Sequence, residues 1–189
     1  MKNSKSIPVS RSELILAIVL VFGSIYFVMQ QNNRAAANDT PMQYALSARY
    51  ALVQGQPPAT VVSSIPAEEM AHGIAPFIMV YDKDGRLLAT SATLHGTWKP
   101  LPPGVLEAAG RKTEYAVSWQ PEKGVRNAMV VLPYFTSGRQ GFVAAGQSLK
   151  ESEKRTNLAM AHVLVCLVAS IFILYVVSWL RRFLVRMPG

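Results

Sequence analysis

The 189-residue chain contains one cysteine, and this scarcity limits how its folded part can be stabilised. A single cysteine excludes an internal disulfide, so any folded domain must depend on its own apolar core. Cys166 lies inside a long apolar run and is interpreted as a small packing residue.

Recognisable catalytic and metal-binding motifs are also missing from the sequence. His72, His95 and His162 have no cysteine or carboxylate partner at metal-ligand spacing. No G-x-S-x-G or S-x-x-K motif and no plausible carboxylate pair is visible. The run Asp82-Lys83-Asp84-Gly85 is similar to the start of a calcium loop but lacks the later ligands. We therefore predict no enzyme, no metal site and no cofactor.

Charge is absent from two long stretches, residues 14–33 and residues 156–180. A hydrocarbon core of about 30 Å needs roughly 20 apolar residues to cross it as a helix. Backbone polar groups in lipid must pair within the segment, which also requires a helix. The sequence therefore predicts two transmembrane helices.

The net charge of +8 is concentrated beside these two stretches. The flanking basic residues are Lys2, Lys5, Arg11, Arg181, Arg182 and Arg186. Basic residues close to membrane-spanning ends mark the cytoplasmic side. We therefore predict cytoplasmic ends at 1–13 and 181–189, anchored on lipid, and an outer domain at 34–155, in a bacterial inner (plasma) membrane. A nucleic-acid-binding surface would need a clustered basic face, and the distribution of charge does not indicate one.

The first apolar stretch has one alternative interpretation. A basic start, an apolar run and then Ala35-Ala36-Ala37 is typical of a cleaved signal peptide. Against this, the run is long for a signal peptide, and Arg34 separates it from the alanines. Residues 34–155 are predicted to lie outside in either case.

The start of the outer domain has a helical pattern. A helix is predicted over 38–55, closed by Gly55 and the prolines after it. Its apolar positions at helical spacing are Met42, Ala45, Leu46, Leu52 and Val53. A short second helix is predicted over 66–71.

The remainder of the outer domain has strand patterns. Apolar runs at 77–81 and 86–91 flank an Asp-Gly turn, which is a strong hairpin signal. A loop at 93–103 and a short helix at 103–109 follow. Three further strands are predicted at 114–120, 125–134 and 141–149. The order predicts an α+β fold, with a five-stranded antiparallel sheet, the long helix on one face and loops on the other.

Two features carry a family resemblance. One is the hairpin from Phe77 to Ser91 with its D-x-x-G turn, and the other is the last strand, which runs directly into the second apolar stretch. The region 40–155 resembles the extracytoplasmic PAS-like (Cache or PDC) sensor domains of bacterial sensor kinases and chemoreceptors. The resemblance implies a signalling function. Because only residues 181–189 follow the second stretch, we expect the output domain to be lacking. The output would then belong to a partner, or the chain is a shortened sensor kinase.

A ligand site on this domain is predicted from strand alternation. Tyr115 and Trp119 share one face of a strand, and Arg126 lies near the start of its neighbour. In PAS-like sensors ligands lie against the sheet and its covering loops, which implies a contribution from Trp98. The alternative is that both aromatic side chains belong to the core and Arg126 to the surface.

Two functions therefore compete at this point. One is a membrane-anchored sensor or ligand-binding module that passes a signal to a partner protein, with a small-molecule ligand. The other is a non-enzymatic structural or assembly subunit of a membrane or envelope complex. Small residues such as Gly23 and Ser24 permit close helix packing, which favours a homodimer or a membrane protein partner.

Overall fold

The computed structural model describes residues 10–136 and 138–185, with the backbone alone for Val185. It divides into two compact units, of which one contains the two long apolar helices and the other is Asn33–Lys154. The basic residues at positions 2, 5 and 186, which were assigned to the cytoplasmic ends, lie outside the described residues.

Five helices and seven strands follow one another along the described residues. The helices are α1 (Arg11–Ala36), α2 (Asp39–Val53), α3 (Pro58–Ser63), α4 (Val105–Gly110) and α5 (Lys150–Val185). The strands are β1 (Glu68–Glu69), β2 (Phe77–Asp82), β3 (Leu87–Thr90), β4 (Ala92–Thr93), β5 (Tyr115–Glu122), β6 (Val125–Phe135) and β7 (Gln140–Ser148).

Two helical runs, Arg11–Val53 and Lys150–Leu184, are long and apolar enough to cross a membrane. No residue in the apolar window of either run is buried, so these side chains face outward. The first run begins with a capping box. The backbone N–H of Ser10 donates to the carboxylate of Glu13 at 2.7 Å, and the N–H of Glu13 donates to Ser10 Oγ at 3.2 Å.

Helix α2 confirms the predicted long helix but packs through a different stripe. Its buried residues are Pro41, Ala45, Ala48 and Leu52, at helical spacing. Leu46 and Val53, which were predicted on the packed stripe, are 42% and 47% exposed. The helix carries apolar residues on more than one side, so periodicity alone did not select the stripe that the sheet covers.

The helix predicted over 66–71 is wrong. Pro57 and Pro58 instead start α3 eight residues earlier, with Pro58 at the first helical position. The two glutamates that follow form β1, which pairs in parallel with β4. The N–H of Glu68 donates to the carbonyl of Ser91 at 2.7 Å, so this segment bonds to a distant part of the chain and not within a helical turn.

Five strands form one antiparallel sheet, as the sequence predicted, and their order is β3-β2-β7-β6-β5. Side chains alternate between the two faces of the sheet. Each face packs into an apolar core of its own. On what we call the helix face, α2 and α3 cover Ile78, Val80, Val130 and Leu132. On what we call the loop face, α4 and the segments around β1 and β4 cover Phe77, Met79, Trp119, Met129 and Val131.

Candidate functional site

The residues predicted for the ligand site lie in three different surroundings. Trp119 is 4% exposed and packs in the core of the loop face, and the half-buried Tyr115 packs against the same core. Lys112 Nζ lies 5.3 Å from the centre of the Tyr115 ring. Trp98, in the covering loop, is 51% exposed. The structure therefore brings Tyr115 and Trp119 together on one face.

Arg126 does not join them, and this corrects the predicted geometry. The register pairs Trp119 with Asn127, so those two side chains share a face and Arg126 points to the other side of the sheet. Its guanidinium pairs with the carboxylate of Glu153 at 2.5 Å instead. Arg126 is therefore one residue out of phase, across the strand pair, with the position predicted for it.

Asn127 occupies the position that was predicted for Arg126, and sequence reasoning missed it. Its side chain is 1% exposed, between Trp119 on β5 and Ser148 on β7. The amide nitrogen has one weak contact, with Met70 Sδ at 4.0 Å. The amide oxygen is the one fully buried side-chain N or O atom without a hydrogen-bond partner within 10–136 and 138–185. Buried polar groups without partners are rare in folded proteins.

The segment over the loop face is held by the carboxylate of Glu69. This carboxylate accepts hydrogen bonds from Thr93 Oγ1 at 3.1 Å and from the backbone N–H of His95 at 2.9 Å, Gly96 at 3.3 Å and Ala71 at 3.4 Å. The His95 N–H is the largest cause that holds the pKa of Glu69 below its ordinary value. The ionised carboxylate is therefore the form that fastens the segment.

A tight turn lies at the centre of this segment. Leu94 and Thr97 pair across it, and His95 and Gly96 between them have φ values of 53° and 73°. Two consecutive positive φ values are typical of a type I′ turn, and positive φ is uncommon for histidine. Leu94 is fully buried, and His95 Nε2 lies 2.9 Å from the carboxylate of Glu122. Core packing and an imidazole–carboxylate contact thus both anchor the turn.

A cavity of about 530 Å³ lies at the end of the sheet where the turns after β2 and β6 meet. Three of its charged groups, Asp82, Lys83 and Asp84, already have partners. Asp82 Oδ1 accepts the N–H groups of Asp84 and Arg86 at 2.9 and 2.8 Å, and Lys83 pairs with Asp84. Burial is the main cause that raises the pKa of the Tyr134 phenol beside it, so that phenol stays neutral.

A second cavity, of about 330 Å³, lies between α2 and α3 and is called the helix-face cavity below. Its lining residues are Gln43, Tyr44, Ser47, Ala48, Ala51, Gln56, Val61, Ser64, Ile65 and Ile78. The lining contains no charged side chain. The buried Ala48, Val61 and Ile78 supply an apolar wall.

Within residues 10–136 and 138–185, no group of three or more histidine, cysteine or acidic side chains is placed to hold a metal ion. No family model matches the chain, and no curated protein matches it. The likeness to PAS-like sensor domains therefore stays a prediction from the order of the elements.

Proposed function

We propose that the chain is a membrane-anchored sensor or ligand-binding module of a bacterial plasma membrane. Its termini lie in the cytoplasm, its unit Asn33–Lys154 lies outside, and it acts on a partner protein without catalysing a reaction. The observation that carries the proposal is the unpaired amide oxygen of Asn127. A buried acceptor without a partner costs about 1–3 kcal/mol, which a ligand donor would offset.

The surroundings of Asn127 indicate what kind of ligand it accepts. Trp119, in the core of the loop face, and the half-buried Tyr115 place aromatic rings on the same face of the sheet as Asn127. Small-molecule sites usually combine such apolar walls with a few orienting polar groups. The ligand is therefore a small molecule with an apolar or aromatic part and a hydrogen-bond donor directed at the amide oxygen.

A short hydrogen-bonded path joins this site to the last helix. Arg126, next to Asn127 in β6, accepts the N–H of Leu149 on its carbonyl at 2.8 Å. The Arg126 side chain pairs with Glu153, in the first turn of α5. A ligand that shifts β6 at Asn127 therefore acts on the start of α5, provided that it binds one arrangement of the path more tightly than another.

The proposed topology has a direct test by cysteine labelling in a Cys166→Ser background. A membrane-impermeant maleimide should label Lys123→Cys, in the exposed β5–β6 turn, on intact spheroplasts. Ser12→Cys, at the exposed start of α1, should react only after permeabilisation. The opposite labelling pattern would overturn the topology.

Ligand binding is tested on the full chain in mild detergent by thermal unfolding with amino acids, organic acids, sugars and nucleobases. A compound at about 100 times its Kd adds roughly 2.7 kcal/mol of stability. The shift should vanish in Asn127→Leu and persist in Gln120→Leu, which changes an exposed residue of β5. A flat screen on well-folded protein would contradict the sensor proposal.

One observation favours the alternative, a structural or assembly subunit. Leu46, Tyr50 and Val53 follow one another along α2 at helical spacing and are 42%, 69% and 47% exposed. An apolar line on a domain outside the membrane suits contact with another protein. If this alternative holds, Tyr50→Glu abolishes co-purification of a membrane partner in mild detergent. A chain that always purifies alone would contradict it.

A further inference from the structure

The helix-face cavity exists because α2 presents small side chains to α3. Ala48 and Ala51 line it at i and i+3, where larger residues would close the space. Ala48 is 3% exposed and Ala51 is half-buried, so the cavity reaches from the surface into the core. Its volume of about 330 Å³ lies near the lower end of the range for ligand sites, about 300–1,000 Å³.

The polar groups of the cavity are neutral and can both donate and accept hydrogen bonds. Gln43 and Gln56 supply carboxamides, Ser47 supplies a hydroxyl, and Tyr44 supplies a phenol. The Ser64 hydroxyl donates to the carbonyl of Val61 at 2.7 Å and is thereby oriented. No lining residue carries a charge that would compensate a charged guest, and burying an uncompensated charge is strongly unfavourable.

We propose that the helix-face cavity is a second binding site, selective for an uncharged small molecule that joins an apolar body to amide or hydroxyl groups. The apolar body packs on Ala48, Val61 and Ile78. The amide or hydroxyl groups exchange hydrogen bonds with the carboxamides and hydroxyl at the rim. Asn127 lies on the opposite face of the sheet, so this site goes beyond the proposed function and does not depend on it.

Occupancy of the cavity has a mechanical consequence for α2. A guest contacts α2, α3 and the inner strand β2 at the same time and ties them together. Helix α2 begins three residues after the end of α1. The site therefore lies next to the segment that follows the first membrane-spanning stretch, whereas Asn127 lies next to the start of α5.

Benzamide and benzoate test the charge selectivity, because they have the same shape and differ in charge. Binding is measured by ligand-observed NMR on the full chain in nanodiscs, with empty nanodiscs as the baseline. Binding of benzamide should reach saturation. Benzoate should bind about tenfold more weakly or not at all, because the cavity provides no compensating charge. Absence of saturable benzamide binding, or equal binding of benzoate, would overturn the proposal.

Filling the cavity tests the location. Ala51→Leu should weaken benzamide binding about tenfold, which corresponds to about 1.4 kcal/mol. Ala59→Leu, at an exposed position of α3 outside the lining, is the matched control and should leave binding unchanged. If Ala51→Leu unfolds the domain, Ser47→Leu at the exposed rim replaces it, because its side chain enters the mouth of the cavity.

The same measurement separates this inference from the proposed function. Benzamide binding should survive Asn127→Leu, even if that variant loses every response to the ligand of the loop face. Loss of benzamide binding in Asn127→Leu, with normal binding in Ala51→Leu, would locate the fragment on the loop face. That outcome would overturn the second site while leaving the proposed function intact.

Discussion

The two faces of the sheet are covered by different kinds of structure. On the helix face, α2 lays buried alanines and Leu52 against the valines of the central strands. On the loop face, irregular segments and the short α4 cover a core that also contains a buried amide. A carboxylate and a histidine, both at the edge of that core, fasten the cover. The helix face therefore depends on apolar packing, and the loop face on packing and polar contacts together.

This difference indicates which cover of the sheet opens more easily. Segments with few apolar contacts and hydrogen bonds near solvent open at lower free energy than packed helices do. At the tip of the turn Leu94–Thr97, His95 and Gly96 are exposed and are held by hydrogen bonds to Glu69, and the turn covers the face that carries Asn127. Conformational change, and access of the ligand proposed for Asn127, are therefore expected on the loop face, while the packing of the helix face keeps the domain folded.

The largest expected effect comes from breaking the packing of the helix face. Leu52→Ala removes a side chain that is 3% exposed and should lower the free energy of unfolding by about 2–5 kcal/mol. Leu46→Ala makes the same change on the same helix at an exposed position and should have an effect within about 0.5 kcal/mol. Urea unfolding of the solubilised chain, followed by tryptophan fluorescence, measures both. Equal effects would mean that α2 packs through another stripe.

Overpacking the loop face should have the next largest effect. Gly146 lies opposite Phe77 and Met129, and an added Cβ would collide with the Phe77 ring and the Met129 sulfur. Gly146→Ala should therefore destabilise by about 1–3 kcal/mol in the same urea experiment. Gly138→Ala adds the same methyl group where no atom lies within 4 Å and should be neutral. A neutral Gly146→Ala would show that the two strands are not held this closely.

Removing the polar group from the loop face should instead stabilise the protein. Asn127→Leu replaces a buried amide whose oxygen has no partner with an apolar side chain of similar size. The free energy of unfolding should rise by about 1–3 kcal/mol, the penalty of an unpaired buried group. A decrease would mean that Asn127 is held by structural hydrogen bonds, which would remove the argument for a ligand there.

Acidification should loosen the fastening of the loop face. The folded-state pKa of Glu69 lies below the ordinary 4.5, so its contribution is present above pH 4.5 and is lost as the pH falls through the folded-state pKa. The unfolding temperature of Glu69→Gln should therefore fall less than that of the wild-type chain below pH 4.5. Glu114→Gln, at an exposed position, should follow the wild-type curve. Parallel curves for all three proteins would show that Glu69 fastens nothing.

Local signals in the sequence predicted the elements whose hydrogen bonds are local. The Asp-Gly turn between β2 and β3, the alternation along β5 and the turns on either side of β6 were enough to predict the antiparallel sheet. The β1–β4 pair was missed because its partners are 24 residues apart and carry no apolar pattern. Two glutamates after a proline favour a helix by local rules alone.

Only part of the candidate site could be predicted, because the rest depends on contacts between distant parts of the chain. Alternation within β5 placed Tyr115 and Trp119 on one face, as the structure has them. Whether Arg126 or Asn127 joins them depends on the register between two strands, which the turn and bulge near Glu122 determine. An asparagine directly before the apolar run Ala128–Leu132 was the available signal. The role of Glu69 depends on contacts with residues 24 to 27 positions away, which no local pattern reveals.

Native-state hydrogen exchange of the full chain tests the contrast between the two faces most directly. The amides of His95 and Gly96, held by Glu69, should exchange through local openings of much lower free energy than those of Ala48 and Leu52 in α2. Glu69→Gln should lower the protection of the first pair and leave the second unchanged. Equal protection on both faces, or weaker protection in α2, would contradict the account.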